Sequence, residues 1–192
     1  MLNKKLSSLR SYIGEIVKEN IDLPISRPPE NSVKELSKVI NQYHNRVIPN
    51  QLQHDLDENV AWMFYNVIKT SGSRYPFSKI KVLQTSVNPI VLVYKKLFNR
   101  LRPSDYAKEI SIDWAGDDGN MGTTDTPSYP SGHTCQAYYI SHVLSEEFPF
   151  LKNDFFNLAE SIAQSRVDRG VHYPSDLDGG RELAWHLYKV RK

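Results

Sequence analysis

Residues 165–176 read SRVDRGVHYPSD. The stretch is a junction between two helices. Gly170 suits the position just past a helix C-terminus, and Ser175 or Asp176 suits the N-cap of the helix that follows. The same residues carry chemistry. Arg166 is a permanent cation whose planar fork matches phosphate or carboxylate oxygens. His172 follows six residues on, and an imidazole serves as nucleophile or acid/base near neutral pH. Asp176 lies four further, where a carboxylate can fix the tautomer of the imidazole and stabilise its charged form. Taken alone, the segment is equally well a helix end bearing ordinary surface charges.

Two further blocks change that balance. Pro130-Ser131-Gly132-His133 sets a second histidine beside a glycine and a serine, just ahead of a helical pattern. Lys95, six intervening residues and Arg102-Pro103 add two cations. In chain order the blocks read K-x6-R-P, P-S-G-H and S-R-x5-H-x3-D, eleven specified identities. At about one in twenty per position, chance does not produce them.

With every motif position filled, the chain resembles the type 2 phosphatidic acid phosphatase/vanadium haloperoxidase superfamily, closest in style to the soluble bacterial class A acid phosphatases. The resemblance spans Lys95–Asp176, under half of the chain, and leaves residues 1–94 untouched. It implies a helical fold and a phosphate cradle made by Lys95, Arg102, Arg166, Ser131 and the Gly132/His133 backbone. It implies His172 as the nucleophile that becomes phosphohistidine, Asp176 as its partner at the other ring nitrogen, and His133 as general acid and then base. The expected activity is a phosphomonoester hydrolase with no metal or other cofactor, acting on a small phosphorylated substrate. Vanadate enters as an inhibitor. The alternative is a vanadium-dependent haloperoxidase holding vanadate in the same cradle, against which a chain of 192 residues argues by its shortness.

Composition bounds the rest. A length of 192 residues, 40% hydrophobic and 24% charged, describes one soluble globular domain, residues 1–192. Mean hydropathy is −0.51, and no apolar run nears the roughly 18 residues of a membrane span. The charged N-terminus lacks the apolar centre of a signal peptide, so the expectation is a cytoplasmic protein. A net charge of +2 argues against a nucleic-acid partner. Cys135 is the sole cysteine, which excludes an internal disulfide and leaves it as a small buried hydrophobe. Oligomeric state leaves no trace in the sequence.

Apolar periodicity predicts an all-α bundle of roughly seven to nine helices. Leu6, Leu9, Ile13, Ile16 and Val17 mark a helix over 3–20. Asp22–Pro29 reads as an extended connection. Ser32 and Glu35 read as a capping box that opens a second helix through Tyr43. A third runs from Leu56 to Ile68 and is broken by Ser71-Gly72-Ser73, and a weaker one covers Phe77–Thr85. Asn88 as N-cap and Pro89 at the first helical position start a helix to about Leu101, with Lys95 and Arg102 two turns apart on one face. Pro103–Tyr129 reads as a long polar connection over the site, with acidic centre DWAGDDGNMGTTDT that lacks calcium-loop spacing. Trp114 and Tyr129 within it either line a leaving-group pocket or anchor the loop on the core. Ser131 opens a helix through Leu144, Asn153 or Asp154 opens one that carries Arg166, and Ser175 or Asp176 opens the last. His44, His54, His142 and His186 match no motif and read as structural.

Overall fold

The computed structural model describes residues 25–47, 56, 59–117 and 124–191. The expected helix at 3–20, His54 and the centre of the acidic loop lie outside them. Eight α-helices appear among the described residues: α1 (Val33–Asn45), α2 (Val60–Thr70), α3 (Phe77–Ser86), α4 (Asn88–Phe98), α5 (Pro103–Glu109), α6 (Gly132–Glu147), α7 (Lys152–Asp168) and α8 (Pro174–Val190). A 3-10 turn, Pro149–Leu151, precedes α7. No strand occurs among the described residues, and the all-α expectation holds there.

Helix α6 is the centre. Thr134, Cys135, Ala137, Tyr139, Ile140, Ser141, Val143 and Leu144 are buried right round its circumference, the pattern of a helix with neighbours on every side. α2, α3, α4, α7 and α8 all pack on it. One core patch joins Phe64, Ile68, Ile80, Ile140, Leu144 and Phe155. A second joins Ile90, Tyr94, Cys135, Val143 and Leu183. A third, of Leu36, Val39, Val167, Tyr173 and Leu177, lies under α1. Each fully buried Leu, Ile or Phe contributes about 1.5–3 kcal/mol.

Four local expectations are corrected. α4 stops at Phe98, because Asn99 turns left-handed (φ 44°, ψ 41°), a conformation asparagine tolerates. Lys95 and Arg102 therefore do not share a helix face; Arg102 is the N-cap of α5, held extended (φ −71°, ψ 161°) by the proline after it. The connection 103–129 is not loop throughout, since its first seven residues are α5. Helix starts shift by one to three residues: Val87 rather than Asn88 precedes α4, Leu151 precedes α7, and Tyr173 is the N-cap of α8, which places Asp176 at its third position. Only half of the capping box at α1 forms: the Glu35 N–H donates to Ser32 Oγ at 3.3 Å, while the Glu35 carboxylate turns elsewhere. The Ser71–Ser73 break is as expected, with Gly72 at φ +81°.

The long connection is pinned at both ends. The Trp114 ring fills the space over Gly170, where an added Cβ would lie 2.7 Å from it. Gly170 is left-handed (φ +74°), as a residue past a helix end should be. Asp117 accepts from Tyr43 Oη at 3.1 Å and from Arg46 and Arg169 at 3.2 Å each. Tyr129 is buried and donates from Oη to the Ser26 carbonyl at 2.5 Å. Both aromatics are thus anchors.

α6 and α8 approach so closely that glycine is required. A Cβ on Gly180 would meet Ser131 O and Thr134 Cβ at 2.8 Å, and one on Gly179 would meet the Tyr129 ring at 2.3 Å. Gly179→Ala is expected to lower stability by about 1–3 kcal/mol through overpacking, read as a fall in the urea midpoint. An unchanged midpoint would mean that Tyr129 moves freely.

Candidate active site

Local rules of helix termini build this site. Pro174 takes the first position of α8. Asp176, at the third, reaches back so that its Oδ2 accepts the Tyr173 N–H at 2.9 Å, the acidic half of a capping box. The same oxygen faces His172 Nδ1 at 3.0 Å and accepts Ser128 Oγ at 2.5 Å. Ser128 Oγ also lies 3.3 Å from His172 Nδ1. With Nδ1 turned to the carboxylate, Nε2 is the ring atom left for chemistry. His172 is 2% exposed and Asp176 0%, so this contact works at low dielectric.

The predicted cations converge on His172. Its pKa is pushed well below 6.5, first by burial and then by Arg102, Lys95, Arg166 and His133. Lys95, in the last turn of α4, donates from Nζ to the carbonyls of Pro127 and Ser128. Burial and the nearby Arg102 lower its pKa from 10.5 to about 7. Arg102 donates to Thr126 O at 2.8 Å and to Val171 O at 2.7 Å. Arg166, in the last turn of α7, is 0% exposed, and burial with the Arg169 charge lowers its pKa to about 9.

Ser131 caps α6, accepting the Thr134 N–H at 3.4 Å and Thr134 Oγ1 at 2.9 Å. Its own hydroxyl hydrogen stays available to give, while its backbone N–H goes to Asp176 O at 2.9 Å. His133 lies half-buried in the first turn of α6. Packing does not demand glycine at 132, where a Cβ would meet only Val91 Cγ1 at an ordinary 3.5 Å. The start of α6 lies beside the same cluster, with Ser131 N on Asp176 O and His133 close enough for its charge to act on His172.

Three participants were missed by sequence reading. Ser128 sits two residues before the P-S-G-H block. Arg100 sits two before Arg102; it donates to Asp176 Oδ1 and to Ser175 Oγ at 2.7 Å each. Glu35 pairs with Arg100 at 2.7 Å. Nearness of Ser128 and Arg100 to the motifs was the only signal; Glu35 gave none beyond its capping position. The other histidines stand apart in role: His142 stacks on Tyr188 at 4.9 Å beside Trp185, and His44 packs on Tyr43. Cys135 is fully buried and burial raises its pKa. Among the described residues no group of three or more His, Cys, Asp or Glu side chains gathers as a metal set. None of the described helices is long and apolar enough to cross a membrane.

The sequence model of the PAP2 superfamily matches residues 81–190, more than half of the chain. The chain belongs to the PAP2 superfamily. It is 43% identical over 127 residues to a non-specific acid phosphatase of Salmonella typhimurium, a match covering 65% of this chain and 43% of that one. It is 40% identical over 57 residues to a non-specific acid phosphatase of Providencia stuartii, covering 30% and 23%. This PAP2 chain thus spans less than half the length of these curated relatives. The crystal structure of Aquifex aeolicus LpxE superposes with a TM-score of 0.54 at 21% identity, over 84% of this chain and 96% of that one. At that identity the likeness is one of fold alone.

The buried imidazole sets a pH dependence. Because folding depresses the His172 pKa below 6.5, the unfolded chain protonates first as pH falls. Stability is unaffected above pH 6.5 and is lost below it. Between pH 6.5 and 5 the unfolding free energy of His172→Gln, from urea titrations, should fall less steeply than that of the wild type, by up to about 1.4 kcal/mol per pH unit. Parallel slopes would show that His172 takes its proton equally well in both states.

Proposed function

We propose that this PAP2 chain is a metal-independent phosphomonoester hydrolase working through a phosphohistidine at His172. The observation that carries the reading is the His172 Nδ1–Asp176 Oδ2 contact of 3.0 Å inside a ring of Arg102, Lys95, Arg166 and His133 charges. Asp176 holds the proton on Nδ1, so Nε2 carries the lone pair. Nε2 attacks phosphorus, the P–N bond forms and the bond to the leaving oxygen breaks. His133 gives that oxygen its proton. Water then attacks the phosphohistidine, His133 takes its proton, and inorganic phosphate leaves. The phosphoryl group in transit spreads charge over its equatorial oxygens. Lys95, Arg102, Arg166, the Ser131 hydroxyl and the Gly132/His133 N–H groups supply opposite charge and donors without a metal. The names of the Salmonella and Providencia relatives support the acid phosphatase class.

The two histidines separate by leaving group, assayed in EDTA. His172→Ala should abolish turnover of every ester, because no covalent intermediate forms. His133→Ala should lose about 10²–10⁴-fold on glycerol phosphate, which departs as a basic alkoxide. It should lose least on p-nitrophenyl phosphate, and should accumulate acid-labile label from a phosphorus-labelled aryl ester. Label trapped on His172→Ala would mean that the roles are exchanged, and activity dependent on added divalent metal would overturn the cation-only cradle. Wild-type halogenation of a phenolic dye with vanadate, peroxide and bromide, in place of phosphatase turnover, would favour the haloperoxidase alternative.

Anion binding should also carry protons. A dianion beside Lys95 restores its charged form, whose pKa burial holds at about 7. Sulfate, which does not titrate near neutrality, should bind at pH 7.5 with net proton uptake. Calorimetry in buffers of different ionisation enthalpy reads this directly, and Lys95→Arg should abolish most of it. Binding without uptake would place the sulfate away from Lys95.

A further inference from the structure

Behind Asp176 lies a second buried layer of charge that no part of the proposed mechanism uses. Arg100 is 6% exposed, and its guanidinium is spent on four fixed partners. Nε donates to Asn31 Oδ1 at 3.0 Å, Nη1 to Asp176 Oδ1 and Ser175 Oγ at 2.7 Å each, and Nη2 to Glu35 Oε2 at 2.7 Å. Its plane rests on the Tyr173 ring, 4.3 Å from the centroid. The other Glu35 oxygen accepts Ser175 Oγ at 2.5 Å and the Ser175 N–H at 3.2 Å. Glu35 therefore bridges Arg100 and the first turn of α8. Both Asn31 and Glu35 lie ahead of the 81–190 segment that matches the PAP2 superfamily.

We infer that Arg100 and Glu35 are positioning residues for His172, acting through Asp176; the inference rests on the reading of His172 as nucleophile. Asp176 could rotate about its carboxylate axis if only Oδ2 were held. Arg100 on Oδ1 stops that rotation and aims Oδ2 at Nδ1. The same arginine also draws charge away from the carboxylate, which weakens its pull on the imidazole N–H. Glu35 offsets that draw. The chain His172–Asp176–Arg100–Glu35 alternates donor and acceptor groups, so removing the last charge is felt at the first ring. The groups facing His172 from its other sides are Lys95, Arg102, Arg166 and His133, with Ser128 at Nδ1. All of the charged ones are cations or become so, and among the described residues no further carboxylate is placed there to replace what Glu35 supplies.

Glu35→Gln tests this, since it keeps the shape and an acceptor oxygen but loses the charge. With Arg100 uncompensated, the His172 cation is further disfavoured. The acid limb of kcat/KM against pH should move to lower pH. kcat on p-nitrophenyl phosphate should fall about 10–100-fold, the scale seen when partners that orient metal-bound histidines are lost. KM should change little, because Glu35 does not touch the cradle. Glu35→Asp should recover the acid limb in part. A readout free of turnover accompanies these: the downfield Nδ1 proton of His172, assigned by its absence in His172→Gln, should shift upfield in Glu35→Gln. A lowered melting temperature with the acid limb, kcat and Nδ1 resonance unchanged would overturn the inference and make Glu35 a structural tie. If the wild type turns over no ester, the phosphatase reading fails, and the Nδ1 resonance alone decides whether Glu35 reaches His172.

Discussion

Like charges gathered out of water are the constraint around which this chain is arranged. Lys95, Arg100, Arg102 and Arg166 are all buried, and His172 and Asp176 lie among them. A fall in the Lys95 pKa from 10.5 to about 7 corresponds to charging on the order of 5 kcal/mol less favourable than in water. That is comparable to the whole net stability of many domains. The fold bears it by supplying backbone oxygen. The carbonyls of Thr126, Pro127 and Ser128 turn inward onto Lys95 and Arg102, and Val171 O takes the other arm of Arg102. The segment 126–128 is therefore tied to Lys95 and Arg102 by its backbone. Tyr129 on Ser26, and Ser131 N on Asp176 O, hold it there.

Helix ends reduce the same cost. Lys95 stands in the last turn of α4 and Arg166 in the last turn of α7, where the macrodipole is negative. Asp176 stands in the first turn of α8, where it is positive. Each of these three charges thus sits at a helix terminus of opposite sign, unlike Arg102 at the N-cap of α5, and each of the three helices ends at the site for a local reason: Asn99 left-handed after α4, Gly170 left-handed after α7, Pro174 at the start of α8. The close seating of α6 on α8 at Gly180 then brings the α6 N-terminus to the same point. The geometry around His172 is a by-product of where helices stop.

That explains what the sequence could and could not disclose. Helix stops, caps and apolar stripes are local, and the bundle was legible from them, down to the break at Gly72 and the turn at Gly170. The residues converging on His172 were legible because they fall into short, fixed-spacing blocks. The path between blocks was not. Extending α4 through Arg102 was a reasonable use of a seven-residue spacing, but it ignored that Asn99 accepts a left-handed turn and that the residue before Pro103 disfavours helix. The partnership of Glu35 with Arg100, 65 residues apart in the chain, was invisible for a deeper reason. At α1 the residue satisfied a local rule as a cap, and nothing local announces that a carboxylate will leave its cap for a distant guanidinium.

The charge balance of the buried network speaks to which ligand it suits. Lys95, Arg100, Arg102 and Arg166 oppose Glu35 and Asp176, leaving two formal positive charges when Lys95 is protonated. A phosphate monoester carries close to two negative charges once its second proton is gone, at a pKa near 6. Burial and the nearby Arg102 lower the Lys95 pKa to about 7, and a dianion seated beside it would restore its charge. Under the proposed reading, burial makes the charge of this one lysine depend on the anion seated beside it. The same desolvation disfavours the charged form of His172.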